Sequence, residues 1–155
     1  MEQNFIMKAI QLALDNVKGN IGGPFGAIVI RKGEIVGVGQ NHVTRLNDPT
    51  AHAEVQAIRD ACQRLNTFQL DDCELYTSCE PCPMCLGAIY WARLKAVYYA
   101  CTKEEAAIIG FDDKFIYEQL HIPHANRKIP MIKLSPSEAR APFQAWEMSV
   151  NKTNY

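Results

Sequence analysis

Two short stretches decide the fold of this 155-residue chain: Thr50-Ala-His52-Ala-Glu54 and Ser78-Cys-Glu-Pro-Cys82-Pro-Met-Cys85. A helix is predicted to begin at each of them. Asn47-Asp-Pro49 is a helix-start signal ahead of the first stretch, and Pro83 stands where a first-turn proline belongs in the second. Apolar residues recur at helical spacing after both stretches. The sequence therefore predicts two helices whose first turns carry an imidazole, a carboxyl group and thiols.

Outward from these stretches, hydrophobic periodicity predicts alternating helices and strands. A first amphipathic helix ends at Gly19 and has apolar residues at Ala9, Ile10, Ala13, Leu14 and Val17. The other predicted elements are strands at 26–30 and 34–38 joined by a hairpin turn at Lys32-Gly33, a helix from near His52, a strand at 73–77, a helix at 84–94, a strand at 96–100, a helix opened by a capping box at 102–105, a helix at 112–120, a strand at 129–134 and a C-terminal helix from Ser135. Because parallel strands need helical crossovers, this order predicts one α/β domain, residues 1–155, with a mixed sheet between helices.

His52, Cys82 and Cys85 form a candidate metal site. Zinc binds imidazole nitrogen and thiolate sulfur tetrahedrally, and catalytic zinc sites keep three protein ligands so that the fourth position stays open. The C-x-x-C spacing lets two thiolates converge on one ion from the first turn of a helix, where free N–H groups and the helix dipole favour anions. Two thiolates cancel the charge of Zn²⁺, so a base beside the ion becomes useful. Glu54 is the candidate for that proton transfer.

Each motif taken alone leaves other interpretations open. A single C-x-x-C is also typical of structural zinc knuckles, and Cys79 would close the site if it added a fourth sulfur. Against this, Glu80-Pro81 should end the preceding strand and leave Cys79 behind the turn. Mixed nitrogen and sulfur ligands suit zinc best, although iron can occupy the same geometry. The remaining cysteines are interpreted as core residues: Cys62, Cys73 and Cys101.

The two motifs together are more specific than either one. Pro81 immediately precedes Cys82, and 26 residues lie between Glu54 and Pro81. This is the H-x-E and P-C-x-x-C signature of zinc deaminases, in which the glutamate is a general acid and base and does not bind the metal. The pair of motifs therefore favours a catalytic zinc site over a structural one.

Composition and charge argue against some classes of binding partner and indicate the cellular compartment. Sixteen Lys and Arg residues against seventeen Asp and Glu residues give a net charge of -1, which provides no long-range attraction to nucleic acid or to anionic lipid. The N-terminus lacks the basic and apolar regions of a signal peptide, and no run approaches the roughly 18 apolar residues of a membrane span. We therefore expect a cytoplasmic protein whose six cysteines stay reduced. A chain of this length needs neither disulfides nor metal merely to fold.

Further blocks along nearly the whole chain carry a family resemblance. They are Gly22-Gly-Pro-Phe-Gly-Ala27, Gly39-Gln-Asn41, the stretches at 47–54 and 76–93, Gly110-Phe-Asp-Asp113, Phe115-Ile-Tyr117 and Pro142-Phe-Gln-Ala-Trp146. With the zinc motif, these blocks make the chain similar to the small bacterial guanine deaminases of the cytidine deaminase superfamily. The zinc motif alone would indicate only the superfamily, whereas the block at 110–113 and the tail that ends at Tyr155 point to guanine.

The resemblance implies a three-layer α/β/α fold with a five-stranded mixed sheet. It also implies hydrolytic deamination of guanine to xanthine and ammonia in purine catabolism or salvage, with Zn²⁺ in each subunit of a homodimer. The C-terminal segments, residues of about 135–155, would be exchanged between the two subunits. The resemblance assigns purine binding to Asn41, an acceptor or proton-shuttle role to Asp113, and pocket walls to Phe25, Trp91 and Tyr155.

The residue patterns leave the substrate open within this chemistry. Guanosine, cytosine and adenosine in tRNA would use the same zinc chemistry, and the shape of the pocket selects among them. The segment 135–155 has Arg140 and Lys152 as its only basic residues, which argues against tRNA. The alternative from a different class is a zinc scaffold without catalytic activity, which would have four protein ligands and an idle Glu54.

Overall fold

The helices and strands of the computed structural model follow the predicted order as far as the fourth strand. The structure describes residues 2–155, which divide into one unit that ends at Asp113 and a second unit, Lys114–Tyr155. The first unit contains α1 (Glu2–Lys18), β1 (Gly26–Arg31), β2 (Glu34–Gln40), α2 (Val43–Leu46), α3 (Ala53–Leu65), β3 (Cys73–Cys79), α4 (Pro83–Ala92), β4 (Ala96–Cys101) and α5 (Lys103–Ile108). Of these, only the short helix α2 has no counterpart in the sequence prediction.

The sheet of the first unit has four strands in the order β2-β1-β3-β4. β1 pairs antiparallel with both β2 and β3, whereas β3 and β4 run parallel. The chain reverses between β1 and β2 at Lys32 and Gly33, whose φ angles are 51° and 83°. Two successive positive φ angles are what a two-residue hairpin turn requires. The mixed sheet and its hairpin confirm the prediction from sequence.

Helices cover both faces of this sheet. Successive side chains of a strand point to opposite faces, and alternate residues of β1 and β3, the two inner strands, accordingly belong to two separate hydrophobic clusters. Val29 and Leu75 belong to the cluster that includes residues of α3 and α4. Ile28 and Tyr76 face the other way and pack against residues of α1. The arrangement confirms three layers, with α1 on one side of the sheet and α3 and α4 on the other.

The start of α3 lies unusually close to the sheet because β2 has a glycine there. A Cβ atom placed on Gly39 would lie 2.0 Å from the carbonyl oxygen of Ala53 and 2.5 Å from the amide nitrogen of Ala57. Contacts this short leave no room for a side chain, so the first turn of α3 sits directly on the strand. This is the turn that carries His52 and Glu54.

The predicted fifth strand is wrong, since residues 129–134 form no strand in the second unit. Its apolar side chains are largely exposed: Ile129 is 81%, Ile132 80% and Leu134 80% accessible to solvent. A strand forms only where a neighbour completes its backbone hydrogen bonds, and apolar β-branched residues by themselves do not supply that neighbour. The second unit consists otherwise of α6 (Lys114–His121), two short 3-10 turns and α7 (Ala141–Met148). Among residues 2–155 the structure has no helix with the length and apolar composition of a membrane span.

Candidate active site

The nitrogen and sulfur donors of the candidate metal site lie at the starts of two helices, α3 and α4, as predicted from the sequence. His52 is the N-cap residue of α3 and Cys82 is the N-cap residue of α4, and both have extended backbone conformations. The sulfur of Cys82 accepts a hydrogen bond from the amide of Cys85 at 3.5 Å, and Pro83 stands in the first turn. A side chain that accepts from the third helical amide is the usual N-cap arrangement. The short-range signals in the sequence therefore put both candidate thiols at the start of α4.

His52, Cys82 and Cys85 have the spacing of ligands to one ion. The Nδ1 atom of His52 lies 3.5 Å from the sulfur of Cys82 and 3.5 Å from the sulfur of Cys85. All three donor atoms lie within 4.8 Å of one another. Tetrahedral zinc, with Zn–N and Zn–S bonds of about 2.05 and 2.3 Å, separates its nitrogen and sulfur ligands by about 3.6 Å. The donor set and its geometry therefore fit zinc.

Cys79 does not extend this set of donors. Its thiol is directed to the carbonyl oxygen of Thr102 at 3.6 Å, and it is not part of the three-residue group. Burial raises the pKa of the Cys79 thiol to about 12. Its position outside the group of donors, and not this pKa, separates Cys79 from the two candidate ligands. Three protein ligands leave one tetrahedral position open, as a catalytic site requires.

The two candidate thiols hold their protons with very different strengths. The hydrogen bond from the thiol of Cys85, and next that from His52, lowers the pKa of Cys82 to about 4 against the cost of burial. The thiol of Cys85, which donates that hydrogen bond and is buried, has a raised pKa. The hydrogen bond to Cys82 also raises the pKa of His52. Because metal ligands must be deprotonated, a bound cation has to displace these protons, and metal affinity falls with decreasing pH.

Glu54 is a buried carboxyl group beside these donors. It is only 6% exposed, and burial raises its pKa to about 7. The thiolate of Cys82 contributes to this rise of the pKa, and a backbone hydrogen bond, His52 and a hydrogen bond with Cys85 oppose it. A carboxyl group with a pKa near the working pH can both accept and donate a proton. The position and the pKa fit the proton-transfer role predicted from the H-x-E motif.

Asn41 and Phe25, two predicted substrate contacts, lie on adjoining backbone segments. The amide of Asn41 donates to the carbonyl of Phe25 at 3.1 Å, and Asn41 is 7% exposed. The ring of Phe25 packs edge-to-face against Phe111, with centroids 4.9 Å apart. Phe111 was not singled out as a site residue from the sequence, although the Gly110-Phe-Asp-Asp113 block was an available signal. The structure therefore places Phe111 against Phe25, which the resemblance assigns to the pocket wall.

Asp113 comes within electrostatic reach of the metal ligands. It is partly buried, and burial followed by the Cys82 thiolate raises its pKa, whereas Lys103 lowers it. Glu80 connects this region to the helix α5, because it accepts from the Lys103 amide at 3.1 Å and pairs with the Lys103 ammonium at 3.3 Å. Glu80, the residue after β3, is therefore joined to the start of α5, and both Glu80 and Lys103 affect the pKa of Asp113.

The two other predicted pocket walls are exposed residues. Trp91 lies on α4 and is 65% exposed, and Tyr155 ends the second unit and is 70% exposed. Their roles stay predictions. The interpretation of the remaining cysteines holds in part, since Cys73 is buried and Cys62 is half-buried. It is wrong for Cys101, which is exposed at the C-terminal end of β4.

Comparisons with known proteins agree with this site. The zinc-binding region of cytidine and deoxycytidylate deaminases matches residues 1–101. Guanine deaminase of Bacillus subtilis (strain 168) is 56% identical over 153 residues, 99% of this chain and 98% of the relative. An X-ray structure of guanine deaminase from Bacillus subtilis has a TM-score of 0.97 and covers the same shares of the two chains.

More distant relatives share part of the chain. A tRNA-specific adenosine deaminase of Aquifex aeolicus is 40% identical over 107 residues, 68% of each chain. A crystal structure of the protein NE0047 in complex with 2,6-diaminopurine has a TM-score of 0.70. Its sequence is 32% identical to this chain, and the match covers 73% of this chain and 63% of that protein. The matched region 1–101 contains His52, Glu54, Cys82 and Cys85. This chain therefore belongs to the zinc-binding cytidine and deoxycytidylate deaminase family.

Proposed function

We propose that this protein catalyses the hydrolytic deamination of guanine to xanthine and ammonia. The observation that carries the proposal is the 56% identity to a guanine deaminase along 99% of the chain. Within that alignment, three donors with zinc spacing lie beside a buried carboxyl group whose pKa is about 7. These are the parts that a zinc-dependent deaminase needs.

The residues of this chain divide the chemistry between them. Zinc held by His52, Cys82 and Cys85 would acidify a water molecule for attack on the purine carbon that bears the amine. Glu54 takes a proton from that water and returns protons to the ring and to the departing amine, so that guanine and water become xanthine and ammonia. Its burial supports this role, because a carboxyl group with a pKa of about 7 holds a proton and also releases it near neutral pH.

The substrate contacts proposed for this site are Asn41, Asp113, Phe25, Trp91 and Tyr155. Purine edges need both donors and acceptors, and among residues 2–155 the side-chain nitrogen of Asn41 makes no hydrogen bond. Asp113 would accept from the exocyclic amine or shuttle a proton, and its raised pKa supports the second role. The rings of Phe25, Trp91 and Tyr155 would enclose the base and exclude water.

We propose that the protein is a homodimer whose exchanged C-terminal segments complete each active site. We also propose that the protein is cytoplasmic. In this arrangement residues 1–155 of each chain form a single deaminase domain, whose C-terminal segment is exchanged with that of the partner chain. Support comes from the large exposed apolar side chains of the C-terminal segment: Phe143 69%, Met148 77% and Val150 95%. Apolar surface of this extent is typical of a surface that another chain covers. β4 also stands at the edge of the sheet, where unpaired backbone groups are available to another chain.

Mixing two inactive variants tests the exchange directly. Glu54→Gln removes the proton-transfer group, and a chain that ends at Asn154 lacks Tyr155. In an exchanged heterodimer one site combines an intact Glu54 with an intact Tyr155, so randomly mixed dimers regain about a quarter of the wild-type activity. Without exchange, every site keeps one defect and no activity returns. Size-exclusion chromatography with light scattering gives the number of chains in each sample.

A substrate panel tests the proposed reaction. Zinc-loaded protein is incubated with guanine, guanosine, cytosine and tRNA that carries adenosine, and ammonia release is followed. Xanthine formation from guanine alone, lost in Glu54→Gln with zinc retained, is the expected result. The 40% identity to a tRNA-specific adenosine deaminase makes tRNA the second candidate, which inosine formation and tight binding at low salt would favour. Absence of ammonia from every substrate would favour a zinc scaffold without activity.

A further inference from the structure

A buried asparagine on α1 holds the backbone of Asn41, a proposed substrate contact. Asn16 is 0% exposed, and its Nδ2 donates to the carbonyl oxygens of Gly23 and Asn41, both at 2.8 Å. Because both partners are acceptors, the amide nitrogen has to face them, and both of its N–H groups are used. Asn16 therefore joins the glycine-rich segment before β1 to the residue that follows β2.

The two hydrogen bonds leave Asn41 little freedom. Its amide donates to Phe25 and its carbonyl accepts from Asn16, so both backbone polar groups of Asn41 are bound. A Cβ atom placed on Gly22 would lie 2.2 Å from the Asn41 carbonyl oxygen, which shows how closely the two segments pack. Buried carbonyl groups that lose their donors carry a free-energy cost and rearrange. Loss of the Asn16 amide would therefore move the backbone from which the Asn41 side chain projects.

We propose that Asn16 is a positioning residue for purine binding, acting through Asn41. The proposal rests on the proposed function, in which the side chain of Asn41 binds the base. Asn16 is not placed to touch the base, because it is fully buried under the two segments that it joins. The zinc donors and Glu54 project from the starts of α3 and α4, and the two hydrogen bonds of the Asn16 amide go to Gly23 and Asn41 and not to them. Substrate affinity is therefore the property that Asn16 controls.

A double-mutant cycle with Asn16→Ser and Asn41→Ala tests this role in guanine deamination. Asn16→Ser removes both amide donors and leaves a shorter polar side chain. We expect KM to rise about tenfold while kcat changes less than about twofold, since Asn41 would bind the base equally before and during the reaction. In the Asn41→Ala background the same substitution should change KM by less than about twofold. A merely structural defect would lower the fraction of active enzyme and the melting temperature, and would leave KM unchanged.

Gln40→Ala is the matched control. Gln40 also ties α1 to the end of β2, because its side-chain Nε2 donates to the carbonyl of Leu12 at 2.8 Å, but this hydrogen bond does not hold the Asn41 carbonyl. We expect this variant to keep the wild-type KM. If Asn16→Ser fails to fold, Asn16→Gln is measured in its place, because it keeps both donors and displaces them by one methylene group.

Amide hydrogen exchange at Asn41 measures, without any substrate, how firmly Asn16 holds the backbone of Asn41. The rate should rise in the Asn16 variant and stay at the wild-type value in Gln40→Ala. An unchanged rate, an unchanged KM, or an equal rise of KM in both backgrounds would overturn the proposal. Failure of the wild-type protein to release ammonia from guanine would instead overturn the proposed function, and the exchange rates would still decide whether Asn16 holds Asn41.

Discussion

Replacing Glu54 by Gln should lower turnover and, in the zinc-free protein, increase stability above pH 7. Turnover should fall by about 10² to 10⁴, the range for loss of a general acid and base, with zinc content unchanged. The stability effect follows from burial, because Glu54 is 6% exposed and its pKa is about 7 in the folded chain against 4.5 for the ordinary group. Gln has nearly the same shape and does not ionise.

The sign and size of this effect follow from proton linkage. The folded state holds the Glu54 proton more tightly than the unfolded state, so ionisation of Glu54 destabilises the fold. The loss of stability begins near pH 4.5 and is nearly complete above pH 7. A difference of about 2.5 pKa units corresponds to about 3 kcal/mol at 1.36 kcal/mol per unit. Glu54→Gln should therefore be about 3 kcal/mol more stable than wild type near pH 8, and less than about 1 kcal/mol more stable near pH 5.

Urea unfolding of chelator-treated protein at the two pH values measures this difference. Glu34→Gln, at an exposed position in the hairpin, is the matched control and should change the free energy of unfolding by no more than about 0.5 kcal/mol at either pH. A stability gain that is the same at both pH values would show that packing and not ionisation is responsible. No gain near pH 8 would refute the claim that burial of this carboxylate costs free energy.

Three further substitutions or conditions test the construction of the site. Gly39→Ala should weaken zinc binding at least about tenfold in a chelator competition, because its Cβ would lie 2.0 Å from a carbonyl oxygen of α3 and would displace the helix start that carries His52. Gly87→Ala is the control, since a Cβ there would have no atom within 4 Å. It should keep the zinc affinity and stabilise α4 by about 0.5–1 kcal/mol. Thr102→Ala removes the bond from the Glu105 amide to the Thr102 hydroxyl, one of the two bonds of the capping box of α5. It should lower the free energy of unfolding by about 1 kcal/mol, and an unchanged melting temperature would contradict this. Zinc affinity should fall as pH decreases because Cys85 must lose its proton; affinity independent of pH between about 6 and 8 would contradict this.

The metal site was predictable because its parts depend on local structure. Cys82 and Cys85 meet through one helical turn, which Pro83 helps to begin and which a C-x-x-C spacing defines. The hairpin at Lys32-Gly33 is equally local, since two residues with positive φ make the turn. That His52 would join the two thiols did not follow from spacing, and it was predicted only because the paired motifs have a known chemistry.

The sequence by itself determined Cys82, Cys85 and the helix starts of the site, because these depend on contacts between residues close in the chain. It determined His52 and the class of reaction through the paired motifs, whose chemistry is known. Only the tertiary structure decided which face of α1 is buried: Asn16 is inside, whereas Leu14 and Val17 are 43% and 45% exposed. It also decided the raised pKa of Glu54, the exposure of Cys101 and the absence of a strand at 129–134. Each of these depends on what packs against a residue from a distant part of the chain, and periodicity describes a single element without its neighbours.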